Sequence, residues 1–404
     1  MTLQGLSLDQ APPYFVPNLF FLSGLSYMTV ASIFAIFMPF GEIASRLHPS
    51  SLALIHIFTL GVFANIMMGA SFQMLPVVAG ARYPVVVTLS LLVYAFFQVG
   101  TISLIVAFLT FEALLFQSAA LFLALGVFIF TASTIFALRT SSYKESSNNG
   151  IRTANIAFLV TLMLALFLIA SLLGVDFDTM RLLSLHSSFG AFGWIFLLIL
   201  SVSFWVIPMF YVTSPYPKYC KKIILPLSVV LLIFNAIYLL SLPLVAFGLS
   251  TLRRVRDRKR KLKDGVVYFW TFGMLSLLVF SLLLGLSYFF DGEFYYYFGL
   301  FFGCGFVLSV MLGMLLKIVP FLTWFHLSYL GVLDAPMPGE MIEQRAIIRA
   351  FYLHLSGVLL LIFAPIFEPF FNVGAAVIFI NSVYILALIV KTQRIYFKRR
   401  TLSS

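Results

Sequence analysis

Charge is scarce in this chain and cysteine scarcer. Of 404 residues, 10% are charged and two are cysteines. Cys220 stands in a basic loop and Cys304 inside an apolar run, so neither a disulfide framework nor a cysteine metal motif is supported. The long apolar runs are nearly bare of ionisable pairs, which argues against an ion-coupled transporter. Long polar stretches are missing too. The largest loops, 139–152 and 327–345, are too short to fold alone and read as connectors rich in turn residues. Alternating apolar and polar positions are absent, which excludes a membrane β-barrel. The first sixteen residues lack a basic leader, so no cleavable signal peptide is expected; the helix from about Pro17 is the expected insertion signal.

What is present is apolar. Hydrophobic residues make up 62% of the chain and the mean hydropathy is +1.07, far from soluble domains. A crossing needs ~20 apolar residues, and the chain has room for about a dozen. Clear spans are read at 17–40, 50–78, 84–108, 111–138, 153–173, 181–211, 266–290, 295–326, 346–366 and 370–391. The stretch 220–258 is flanked on both sides by basic residues (Lys218, Lys221 and Lys222; Arg253 to Lys263). Both ends then lie on one side of the membrane, which calls for a short helical hairpin or re-entrant pair, bent near Leu240–Pro243.

The expected fold is therefore all-α: a single membrane domain, 1–404, of about twelve transmembrane helices in three pseudo-symmetric four-helix repeats, 17–138, 153–258 and 266–395. The net charge of +11 sits mostly in short loops, as the positive-inside rule places it, so membrane lipid is an expected partner and nucleic acid is not. Both termini are expected in the cytoplasm, with the tail Lys391, Arg394, Lys398, Arg399 and Arg400 inside and Asp291 and Glu293 among the outer acidic residues. The expected location is the inner membrane of a prokaryote. The run 253–263 reads as a topology anchor against anionic lipid.

Three spans share one skeleton: Gly61–Gly69–Pro76, Gly193–Ser201–Pro208 and Gly305–Gly313–Pro320. From Gly61 to Gly193 is 132 positions and from Gly193 to Gly305 is 112, so the second repeat is shortened by about twenty, consistent with a reduced hairpin. Two copies carry a histidine ahead of the first glycine, His56 and His186. At ~1.5 Å per residue both lie ~30 Å from the inner end. Histidine inside a membrane helix is costly and points to function. Two imidazoles at equal depth on equivalent helices suit the two axial positions of a haem iron. Gly61 and Gly193 either open a slot for the porphyrin or serve close helix packing. His326 and His354 are tentative ligands of a second metal, or hydrogen-bonded residues nearer the inner face. Lys317 is expected to snorkel to the inner interface.

The pattern His56-IFTLG through Gly69 to Pro76, and less closely His186-SSFGAFG through Ser201 to Pro208, resembles subunit I of the haem–copper oxidases. That resemblance implies twelve helices in three arcs with ligands on the second, sixth and tenth. The departures are specific. The tenth span lacks the paired H-x-H, and the copper histidines and their linked tyrosine are missing. The closer resemblance is to the non-oxidase branch, NnrS-like membrane haem proteins associated with nitric oxide stress. It implies a haem b protein, ligated by His56 and His186, that transfers electrons or responds to a gas. An active oxygen reductase is not expected, and copper is left open. Respiratory subunits or another redox partner, and a second copy of the chain, are the partners this implies. Two other readings stand beside it: a cofactor-free subunit of a respiratory complex, and a transporter of a small apolar substrate.

Overall fold

A computed structural model describes residues 11–141, 146–259, 263–290 and 294–403. Asp291, Glu293 and positions 260–262 of the basic run lie outside the described residues. The protein is all-helical, with no strand among the described residues. Ten helices are long and apolar enough to cross a membrane: α1 Phe15–Phe37, α2 Pro49–Ala79, α3 Val86–Thr110, α4 Ala113–Arg139, α5 Ser146–Leu172, α6 Thr179–Tyr211, α9 Val266–Leu286, α10 Tyr295–Tyr329, α11 Gln344–Phe363 and α12 Pro369–Thr401. All ten match spans read from the sequence.

Between α6 and α9 the chain forms the hairpin. Its first leg, α7, is five π-helical residues (Cys220–Ile224) running into nine α-helical ones (Leu225–Ile233), and its second, α8, is Ser241–Arg256, 16 residues. The legs are antiparallel, because their basic ends meet. Tyr216 and Thr251 share a hydroxyl hydrogen bond of 2.8 Å, Tyr219 and Ser250 one of 2.9 Å, and Arg254 reaches the Pro215 carbonyl at 3.3 Å. The turn falls earlier than the sequence suggested. Phe234 ends α7, Asn235 takes a left-handed φ of +54°, and a 3-10 turn over Ile237–Leu240 leads into α8. Asn tolerates that conformation through local side-chain bonding. Pro243 lies in the first turn of α8, where the missing N–H has no helical partner to lose, so it does not mark the bend.

The described residues divide into two compact units, one holding 11–12, 70–259 and 281–290, the other 13–69, 263–280 and 294–403. In the first, α5 packs along α6. A Cβ on Gly193 would stand 2.8 Å from Ala157 and 2.9 Å from Leu232, and Gly150 faces Ser201. In the second, α1 packs along α2, with Tyr27 against Gly61 (2.6 Å to an added Cβ) and Phe20 against Gly69 (2.8 Å). There too α9 packs along α10, with Ser276 against Gly305 (2.6 Å) and Phe269 against Gly313 (2.8 Å). The same arrangement recurs three times: contact positions seven residues apart on one helix meet small residues eight apart on the next. Close approach of this kind gains dispersion contacts where apolar lipid supplies no hydrophobic drive.

The helices with the skeleton, α2, α6 and α10, are the most enclosed. Their most apolar windows are 67%, 78% and 78% buried, against 28–50% for the other seven. Each keeps its proline inside the helix. Each also widens into a π-helix around its first glycine: Ile57–Ala64, Phe189–Phe196 and Gly299–Leu308. The first two stretches are displaced by the same 132 positions as Gly61 and Gly193. Widening of this kind is frequent at functional sites.

Candidate functional site

His56 and His186 both lie on the N-terminal side of their π-helical stretches. His56 is the residue before Ile57, and its Nδ1 lies 2.7 Å from the Leu52 carbonyl one turn back in α2. His186 stands three residues before Phe189, and its Nδ1 lies 3.1 Å from the Thr161 carbonyl on α5. A carbonyl only accepts, so both rings donate Nδ1–H. In the neutral imidazole the lone pair then resides on Nε2, the tautomer of a metal-ligating histidine oriented by a second partner. Both side chains are half-buried. The two residues belong to different compact units.

They are not at equivalent positions. His56 precedes its glycine by five residues and His186 by seven, so Ser188 is the counterpart of His56. The two-residue offset gives them different anchors, one within its own helix and one across to its neighbour. Further along α6, Trp194 lies flat on Phe158 of α5, with centroids 3.7 Å apart and planes 3° from parallel.

The glycines named with these histidines are close-packed. The space beside Gly61 is filled by the Tyr27 ring and that beside Gly193 by Ala157 and Leu232. Open space occurs instead beside Gly299 and Gly303 in the π-helix of α10, where an added Cβ would meet nothing within 4 Å. In the same unit the π-helical stretches of α2 and α10 touch.

The tentative second pair is elsewhere. His354, fully buried on α11, bonds through Nε2 to Ser309 Oγ at 2.8 Å, at the C-terminal end of the α10 π-helix. His326 lies edge-on to Tyr14 at 5.5 Å and to Tyr396 at 6.3 Å, and its Nε2 is buried without a hydrogen-bond partner. Among the described residues no three His, Cys, Asp or Glu side chains are grouped to hold a metal ion. A haem asks less, since the porphyrin supplies four donors and the protein one or two.

One polar residue behaves differently from the sequence expectation. Lys317 does not merely snorkel: its Nζ meets Asp264 Oδ2 at 2.5 Å, while Asp264 Oδ1 caps the start of α9 by accepting from Val266 N at 3.0 Å. The expectation missed this because 53 positions separate the partners. His48 is the N-cap of α2, its Nδ1 accepting from Ser50 N at 3.3 Å. Pro49 at the first helical position was the legible start signal.

Comparison with family models gives no match, and comparison with curated proteins gives none.

Proposed function

We propose that the protein is a haem-binding integral membrane protein of the haem–copper oxidase-like fold, without an oxygen-reducing site, acting in electron transfer or in the response to nitric oxide or another gas. The observation that carries this reading is the shared state of His56 and His186. Each enters a π-helical stretch and donates Nδ1–H to a backbone carbonyl, at 2.7 and 3.1 Å, leaving Nε2 as the basic nitrogen. That donor set fits a haem b iron. His56 and His186 are the proposed axial ligands, and Leu52 and Thr161 hold the rings in orientation. When bound, the haem supplies a one-electron couple, or a ligand position for a diatomic gas. The recurrence of packing and π-helix in α2, α6 and α10 supports three repeats, and with the hairpin as two short crossings supports a count of twelve. Basic inner loops support a cytoplasmic location for both termini in a prokaryotic inner membrane.

A second reading, a cofactor-free subunit of a respiratory complex, is favoured by the filled spaces at Gly61 and Gly193. One experiment separates the two. Protein purified in mild detergent and supplied with haem b is expected to show a sharp Soret band, lost in His56→Ala and in His186→Ala. Wild-type protein that neither carries nor takes up haem would overturn the haem reading in favour of the second.

A further inference from the structure

We propose that the outward face of α12, at its C-terminal end, binds an anionic phospholipid. Val373, Ile380 and Val383 form an exposed apolar stripe on this helix, continued by Ala387. The same stripe then turns basic. Ala387, Val390, Lys391, Arg394, Ile395 and Lys398 line a shallow, open depression of about 390 Å³ along this one helix. Their spacing of three and four residues keeps them on one helix face.

The depth of the change is informative. Counted from Pro369 at ~1.5 Å per residue, Ala387 lies at ~27 Å, Lys391 at ~33 Å and Lys398 at ~44 Å. A hydrocarbon core is ~30 Å thick. The apolar part of the depression therefore lies at acyl-chain depth, Lys391 and Arg394 at headgroup depth and Lys398 just beyond it, within reach of a headgroup by its long side chain. Those cations are uncompensated: Lys391, Arg394 and Lys398 form no ion pair among the described residues, whereas the neighbouring Arg399 is held by Asp334. An occupant that is apolar along one part and anionic at the other, and that lies at a lipid-facing surface, is a phospholipid with net negative charge. The inference rests on α12 spanning the membrane and is independent of haem.

The test uses the full chain in nanodiscs containing equal phosphatidylglycerol and phosphatidylethanolamine with identical acyl chains, released for native mass spectrometry. Phosphatidylglycerol is expected to be retained several-fold over phosphatidylethanolamine, and the triple variant K391Q/R394Q/K398Q to lose that preference. The charge-preserving R394K/K398R keeps it. Equal retention of the two lipids by wild type, or an unchanged preference in the triple variant, overturns the proposal. Should the triple variant misfold, amine acetylation of wild type decides: phosphatidylglycerol is expected to protect Lys391 and Lys398, and phosphatidylethanolamine not. Equal protection by inorganic phosphate alone would identify a free-anion site and overturn the lipid assignment.

Discussion

α2 and α6 on one side, and α10 on the other, are built on one skeleton and carry different polar chemistry. In α2 and α6 a histidine leads into the π-helix and is tied to a carbonyl. In α10 the corresponding positions are apolar, Leu300 opposite His56 and Phe298 opposite His186. There the polar contacts lie further along the helix: Ser309 with His354 from α11, and Lys317 with Asp264. The difference teaches that glycine, π-helix and proline belong to the scaffold. They persist where the histidine does not, so they are packing devices, and the chemistry resides in what each copy adds.

The strongest way to break this comparison is spectroscopic. If the histidines and not the scaffold bind haem, His186→Ala abolishes the Soret band while leaving the helical circular dichroism of the protein unchanged. Loss of both together would make His186 a structural residue. The next largest effect is expected in α10. Asp264→Ala removes an ion pair and a helix cap at once, a loss of about 2–4 kcal/mol readable as a lower thermal midpoint in detergent. Lys317→Met is expected to cost less, because the cap on α9 survives. An equal loss in the two variants would mean the cap contributes nothing.

Smaller again is the contrast between filled and open glycines. Gly61→Ala forces a Cβ against the Tyr27 ring and is expected to cost about 1–3 kcal/mol. Gly303→Ala, facing open space, is expected to be neutral or to stabilise by up to about 1 kcal/mol, since alanine favours helix. Reversed signs would mean that the open position is the functional contact and the filled one is adaptable. The smallest effect is at high pH. Burial pushes up the phenols of Tyr83 and Tyr216, outside the spans, although hydrogen bonds to Thr134 and Thr251 partly offset it. The folded state then holds those protons when the unfolded chain releases them, so stability falls as pH rises above about 10. Tyr216→Phe should flatten that fall; an unchanged alkaline loss would remove Tyr216 from the account.

Much of the helical plan was legible because hydropathy and length speak directly: ten spans were readable as runs. The hairpin was legible from charge, since Lys218 and Arg253 had to share a side. Its turn was not, because Pro243 draws attention as a breaker while the first turn of a helix accepts proline at no cost. The π-helical widening left no signal either, since Gly and Phe in a membrane helix suit ordinary packing equally well. Gly61 and Gly193 were legible as small residues facing something. What faces them, Tyr27 and Ala157 with Leu232, depends on the register of separate helices and could not be read from spacing. His56 and His186 stood out as costly residues, but their two-residue offset acquires meaning only once Leu52 and Thr161 are seen as their anchors.

The hairpin between α6 and α9 has a consequence for the surrounding bilayer. Legs of ~21 and ~24 Å fall short of a ~30 Å hydrocarbon layer. Ile233 and Phe234, both exposed at its tip, are at home among lipid tails and out of place among headgroups. The bilayer beyond that tip must thin, at a fraction of a kcal/mol per ångström of mismatch. This flank would thus register membrane thickness, and shorter-chain lipids would fit it with less distortion than longer ones.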